Sequence, residues 1–188
     1  MKFLSLSCLL CMFLGALPAV ALDAFDETLE LQVISFRVQC ANEGSLNTLT
    51  LQTSGLTIDN SSKNFEADGV VTGAEVADLN ADGSPEVYVY ITSAGSGSYG
   101  SLAAWSANNR KSLSDIYLPE IAEDPELRQG YMGHDEFAVG EGTLLRRFPL
   151  YRENDVNAGP TGGTRQLQYK LEAGEAGWVL RQDRSIDF

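Results

Sequence analysis

Apolar residues at alternate positions dominate the chain from residue 28 onward, the pattern of strands with one face buried. In "TLELQVISFRV" (28–38) the alternation sets Leu29, Leu31 and Val33 on one face. "NTLTLQT" (47–53) repeats it with Leu49 and Leu51, and "PEVYVYIT" (85–92) opposes Val87, Val89 and Ile91 to Tyr88, Tyr90 and Thr92. Residues 102–107, 114–118, 136–139 and 143–148 supply further strands, and 165–172 and 178–186 form a closing hairpin around "AGEAG". Turn clusters such as "DNSSKN", "GEG" and "AGPTGG" separate the runs. One short helix is expected over "EDPELRQ" (123–129), with Asp124 as N-cap and Pro125 in the first turn. About eight short strands, one short helix, no repeat and no second composition regime predict one all-β domain, an antiparallel β-sandwich.

The N-terminus changes the picture of where this domain resides. Met1-Lys2, an apolar run from Phe3 to Leu17 and "AVA" at 19–21 read as a cleaved signal peptide spanning 1–21, followed by a domain over 22–188. The run is too short for a membrane anchor, since Asp23 follows at once. Cys8 and Cys11 lie in poor lipobox contexts, so the expected product is exported, soluble and free of membrane. Cleavage removes Lys2 and no acid, leaving 12 basic against 26 acidic side chains. Such a surface argues against nucleic acid and suits a basic protein partner, although solubility alone would explain it. After cleavage only Cys40 remains, in the strand-like "SFRVQCA", where a buried structural thiol is expected and no internal disulfide can form.

Between two strand-like runs, "ITSAGSGSYGSLAAW" (91–105) spends nine residues, Ser93 to Ser101, where a hairpin needs about two to five. A phosphate loop would need G-x-x-x-x-G-K-[ST], and no lysine follows until Lys111. A nucleophile elbow would need G-x-S-x-G, which neither Ser96 nor Ser98 satisfies. A Ser–His site on Ser96 would have to use His134, the one histidine, which reads as a solvated loop residue beside Asp135. The chain is therefore expected not to be an enzyme, and the loop to be presented to another protein.

"DLNADGSPE" (78–86) carries the second candidate. Asp78, Asn80 and Asp82 at alternate positions, then Gly83 and Glu86, resemble the start of an oxygen-ligand calcium loop, in which short carboxylates converge as the chain coils. The twelfth position is Val89 and not a bidentate Glu, so an Asx-type turn leading into the next strand is the preferred reading and no cofactor is required. A calcium-dependent module for glycan or cell-wall material, using Asp78, Asn80, Asp82 and Glu86, is the alternative.

Ser96-Gly97-Ser98-Tyr99 matches the S-G-x-Y element shared by bacterial lysozyme inhibitors. With the blocks at 75–119 and 148–171, the chain resembles the periplasmic inhibitors of invertebrate-type lysozyme, less clearly before about residue 65. The resemblance implies a periplasmic protein whose partner is lysozyme and whose loop enters the enzyme's cleft, with a homodimer as the assembly. It implies that Ser96 meets the catalytic carboxyls and that Ser98 lies within the inserted element. Gly95 and Gly97 would permit close backbone approach, and Tyr99 would brace the loop or add contact. Arg110, Lys111 and the 150–163 loop are expected to be solvated.

Overall fold

A computed structural model describes residues 23–188, so the expected signal peptide lies outside the described residues. Twelve strands succeed one another among the described residues: β1 Phe25–Leu31, β2 Ile34–Cys40, β3 Leu46–Ser54, β4 Lys63–Asp68, β5 Val70–Ala77, β6 Glu86–Thr92, β7 Gly100–Asn108, β8 Ser112–Tyr117, β9 Glu136–Gly140, β10 Thr143–Pro149, β11 Thr164–Ala173 and β12 Trp178–Asp187. Strands β1 to β4 make an antiparallel sheet in chain order. The second sheet has eight strands, ordered β5-β6-β7-β8-β12-β11-β10-β9, antiparallel except for a short parallel contact between β8 and β12. The sandwich expected from the alternation is what forms.

Strand β6 explains how two sheets give two cores. Its residues are buried on both faces. Val87, Val89 and Ile91 pack with Phe36, Val38, Leu49 and Leu51 of the smaller sheet. Tyr88 and Tyr90 point the other way, into a second core with Leu144, Phe148, Leu167, Tyr169 and Leu180. The larger sheet curls around that second core until its edges approach. Val139 of β9 donates its N–H to Glu75 of β5 at 2.8 Å, and Phe137 stacks on Tyr90 with centroids 5.6 Å apart. Cys40 is buried in the first core as a free thiol, as its strand context implied.

Two local expectations need correction. The run 28–38 is not one strand but the hairpin β1–β2, turned at Gln32 and Val33 with φ of 52° and 66°. A two-residue turn with both φ values positive matches the twist of its strands, so a β-branched residue occupies a position that asparagine or glycine would usually hold. Val33 is accordingly exposed and not on the face of Leu29. The expected helix at 123–129 reduces to a 3-10 turn, Ile121–Glu123. Asp124 does cap the turn C-terminal to it, its Oδ1 accepting from the N–H groups of Glu126 (2.8 Å) and Leu127 (3.1 Å). That segment ends at Gly130, which has φ of 74° and lies against Tyr151.

Candidate functional site

Strands β6 and β7 form a hairpin whose connection is seven residues, Ser93 to Tyr99. It is shorter than the nine expected because Gly100 and Ser101 already pair with Thr92 and Ile91. Its base is closed by the Ser93 N–H donating to the Tyr99 carbonyl (2.9 Å) and the Tyr99 N–H donating to Ser93 Oγ (3.0 Å). Within it, the Ser98 N–H donates to the Gly95 carbonyl at 3.3 Å. Ser96 is exposed at the tip and Tyr99 is 48% exposed. The Tyr99 ring folds back over Gly97, where an added Cβ would sit 2.5 Å from Cε2. A side chain at residue 97 would have to displace that ring from its place on the loop. Tyr99 also meets Tyr131 edge-on at 5.6 Å, and Tyr131 meets Phe148 at 4.7 Å, which ties the loop to the second core.

Two other segments grip the loop, and both were expected to be solvated. The His134 N–H donates to the carbonyls of Gly97 (2.8 Å) and Ser98 (3.2 Å). The Asn157 side-chain amide donates to the Ser96 carbonyl, and its Oδ1 lies 3.3 Å from His134 Nε2. The imidazole is thus engaged with Asn157 and stacked on Tyr151, not paired with Ser96. Tyr151 in turn donates its hydroxyl to the Asn157 carbonyl at 2.8 Å.

Below the loop, Gly100 is held at both its polar groups. Its N–H donates to Asp135 Oδ2 (2.8 Å) and its carbonyl accepts from Arg146 Nη2 (3.1 Å). Arg146 Nε donates to Asp135 Oδ1 at 2.7 Å, with side chains 3% and 0% exposed. Burial opposes the charge on Arg146, but the adjacent Asp135 carboxylate outweighs it and raises the guanidinium pKa above its ordinary value. Tyr131 completes the cluster, donating its hydroxyl to Asp135 Oδ2 (2.7 Å) and accepting from Arg146 Nη2 (2.9 Å). Burial pushes the Tyr131 hydroxyl well above its ordinary range, so it remains a proton donor at neutral pH.

The 78–86 segment forms the turn preferred from its sequence. Asp78 accepts from the N–H groups of Asp82 (3.0 Å) and Gly83 (2.9 Å) and from the Gln32 amide (2.8 Å). Asn80 accepts from the Asp82 N–H (3.1 Å), and Asp82 accepts from the Ser84 N–H (2.8 Å). Glu86 is fully buried and accepts from the Leu79 N–H (2.9 Å) and Ser106 Oγ (3.3 Å). Burial, with Asp78 and Asp82 adding, pushes its carboxyl up to about 7. Oxygens of Asp78, Asp82 and Glu86 also lie within 4.8 Å of one another, close enough to share a cation. Arg110 is not merely solvated, for its Nε donates to the Gly83 carbonyl at 2.8 Å. It sits at the far end of β7 from the Ser96 loop, so the two candidate sites are separate.

Residues 37–124 match the family model described as periplasmic lysozyme inhibitor of I-type lysozyme. Over this segment, a little under half of its length, the chain is similar to that family. The match contains the whole Ser96–Tyr99 element and the 78–86 turn, and begins well before residue 65, where the resemblance had become indistinct. It ends before the 148–171 block. The family's function is periplasmic inhibition of I-type lysozyme, which agrees with the export expected from the N-terminus. No curated protein and no solved structure matches the chain.

Proposed function

We propose that this periplasmic inhibitor blocks I-type lysozyme by inserting the Ser96-Gly97-Ser98-Tyr99 loop into the active-site cleft, and that it has no catalytic activity of its own. The observation that carries this reading is the small, exposed tip held fixed by groups from elsewhere in the fold. Glycosidases of this kind use a pair of carboxyl groups, one protonated and one ionised. A serine hydroxyl can donate to the carboxylate and accept from the acid, so Ser96 suits such a pair. Gly95 and Gly97 keep the tip narrow enough for a cleft. Lysozyme titrated with Ser96→Ala and Tyr99→Ala variants tests the reading. Loss of a hydrogen bond to a charged group is worth roughly 1.5–3 kcal/mol, so Ser96→Ala is expected to weaken inhibition tenfold to hundredfold with the melting temperature nearly unchanged. Inhibition equal to wild type by both variants overturns it.

A calcium-dependent glycan or cell-wall module remains the second reading, favoured by the close approach of the Asp78, Asp82 and Glu86 oxygens. Against it, the turn's carboxylates already accept hydrogen bonds from its own backbone. Inhibition is expected to survive a chelator unchanged. Loss of inhibition in chelator, restored by calcium, would reverse the order of the two readings.

A further inference from the structure

We infer that the lysozyme-facing surface is a composite of three loops clamped as one unit. In it, residues 131–134 and 151–157 supply two apolar contacts, Met132 and Val156, beside the Ser96 loop. This rests on the insertion reading above and extends it to residues outside the Ser-Gly-Ser-Tyr element.

The three loops are joined at their closest points. Ser96 is tied to Asn157, Gly97 and Ser98 are tied to His134, and His134 is tied to Asn157. Met132 stands next to Gly133, whose α-carbon approaches Gly97 so closely that a Cβ there would lie 2.0 Å from the Gly97 carbonyl oxygen. Val156 stands next to Asn157. The loop that carries Val156 is itself ordered. The Asp155 carboxylate accepts from the Arg152 N–H, the Thr161 N–H and the Thr161 hydroxyl, each at 2.8 Å. Those bonds hold the Asp155 pKa below the usual carboxylate range.

Large apolar side chains are exposed on each of these three loops: Tyr99 at 48%, Met132 at 38% and Val156 at 70%. Met132 and Val156 belong to neither core, and the apolar area that they leave in water gains nothing from folding. Their grouping on loops that hydrogen-bond to one another is what a protein-binding face requires, with apolar anchors around a central polar contact. A face already fixed in shape also loses less conformational freedom on binding than a mobile loop would. The partner is the I-type lysozyme itself. Ser96 enters the cleft, and Met132 and Val156 rest on its walls.

The experiment measures inhibition of I-type lysozyme, thermal unfolding and amide hydrogen exchange for three variants of the full mature chain: Met132→Ser/Val156→Ser, Asn157→Ala and Ser96→Ala. The double variant is expected to inhibit at least tenfold more weakly, with unfolding and exchange as in wild type, because both side chains are exposed. Asn157→Ala is expected to speed exchange at the Ser98 and His134 amides in the free protein and to weaken inhibition. If Ser96→Ala is impaired while the double variant inhibits as wild type does, the composite face is wrong and insertion of the loop stands. If Ser96→Ala also inhibits normally, both ideas fall. Unchanged exchange at Ser98 and His134 in Asn157→Ala would overturn the clamp independently of any lysozyme measurement.

Discussion

Asp135 and Arg146 face each other at 2.7 Å, almost sealed from solvent, and together they hold both backbone polar groups of Gly100. Gly100 is the first residue of β7, directly after the loop. A Cβ there would sit 2.5 Å from Asp135 Cβ, so the absence of a side chain lets the carboxylate reach the backbone. The ion pair thus fixes the root of the loop from inside the second core.

Removing one partner is expected to cost about 3–5 kcal/mol, because the other charge is left buried without compensation. Asp135→Ala and Arg146→Met test this by denaturant unfolding. Replacing both together with apolar residues is expected to cost less than the two single losses combined. It still orphans the Gly100 N–H and carbonyl, each worth roughly 1–3 kcal/mol when buried and unsatisfied. A loss under about 1 kcal/mol in either single variant would mean that water reaches the pair.

Association with a basic lysozyme should be fast at low salt. Residues 22–188 carry 12 basic and 26 acidic side chains. Long-range attraction of this kind is screened over about 8 Å at physiological ionic strength, so added salt is expected to lower the association rate more than it raises the dissociation rate. Stopped-flow binding across a salt series measures both. A flat association rate would assign the acidity to solubility alone.

Much of this was legible in the sequence because alternation reports burial directly. The strands at 47–53, 85–92 and 143–148 and the closing hairpin appear within one or two residues of where the pattern set them. The β1–β2 hairpin was not legible, since its turn residues, Gln32 and Val33, continue the alternation and carry no glycine or asparagine. The loop's clamps are a different case. His134 and Asn157 lie 38 and 61 residues from Ser96, and no local pattern links them. Arg146 did leave a signal. In β10 it occupies the inward position between Leu144 and Phe148, where an arginine must find a carboxylate. What the pattern could not supply was which carboxylate, because Asp135 reaches it only through the fold.

Glu86 gives stability a slope with pH between mildly acid and neutral conditions. Its folded pKa of about 7 lies above the ordinary 4.5, so the folded state holds a proton that the unfolded state has released. Stability from this group is full below about pH 4.5 and is lost as pH rises through 7, a change of roughly 3 kcal/mol. Asp26, Asp59, Asp155 and Asp187, whose pKa values are lowered, act in the opposite sense and only at more acid pH. Urea unfolding at pH 5 and pH 8 is therefore expected to show wild type losing stability and Glu86→Gln losing much less. Parallel slopes for the two proteins would show that Glu86 is ionised in the fold at both pH values.

Gly133 and Gly95 separate backbone strain from displacement of the loop. Both have positive φ, 90° and 115°, so alanine at either position is strained by roughly 1–2 kcal/mol. At Gly95 a new methyl group meets nothing within 4 Å, so strain is the whole cost. At Gly133 the methyl would lie 2.0 Å from the Gly97 carbonyl oxygen and 3.2 Å from the Tyr99 ring. That oxygen belongs to backbone and cannot turn aside, so the loop itself must move and the His134-to-Gly97 hydrogen bond must lengthen or break. The expected outcome is that Gly95→Ala lowers the melting temperature by a few degrees. Gly133→Ala should lower it somewhat further and weaken inhibition tenfold or more relative to wild type. Thermal unfolding and lysozyme titration of the two proteins side by side check this. If Gly133→Ala inhibits as well as wild type, the position of the loop tip does not govern inhibition, and binding must run through some other face of the sandwich.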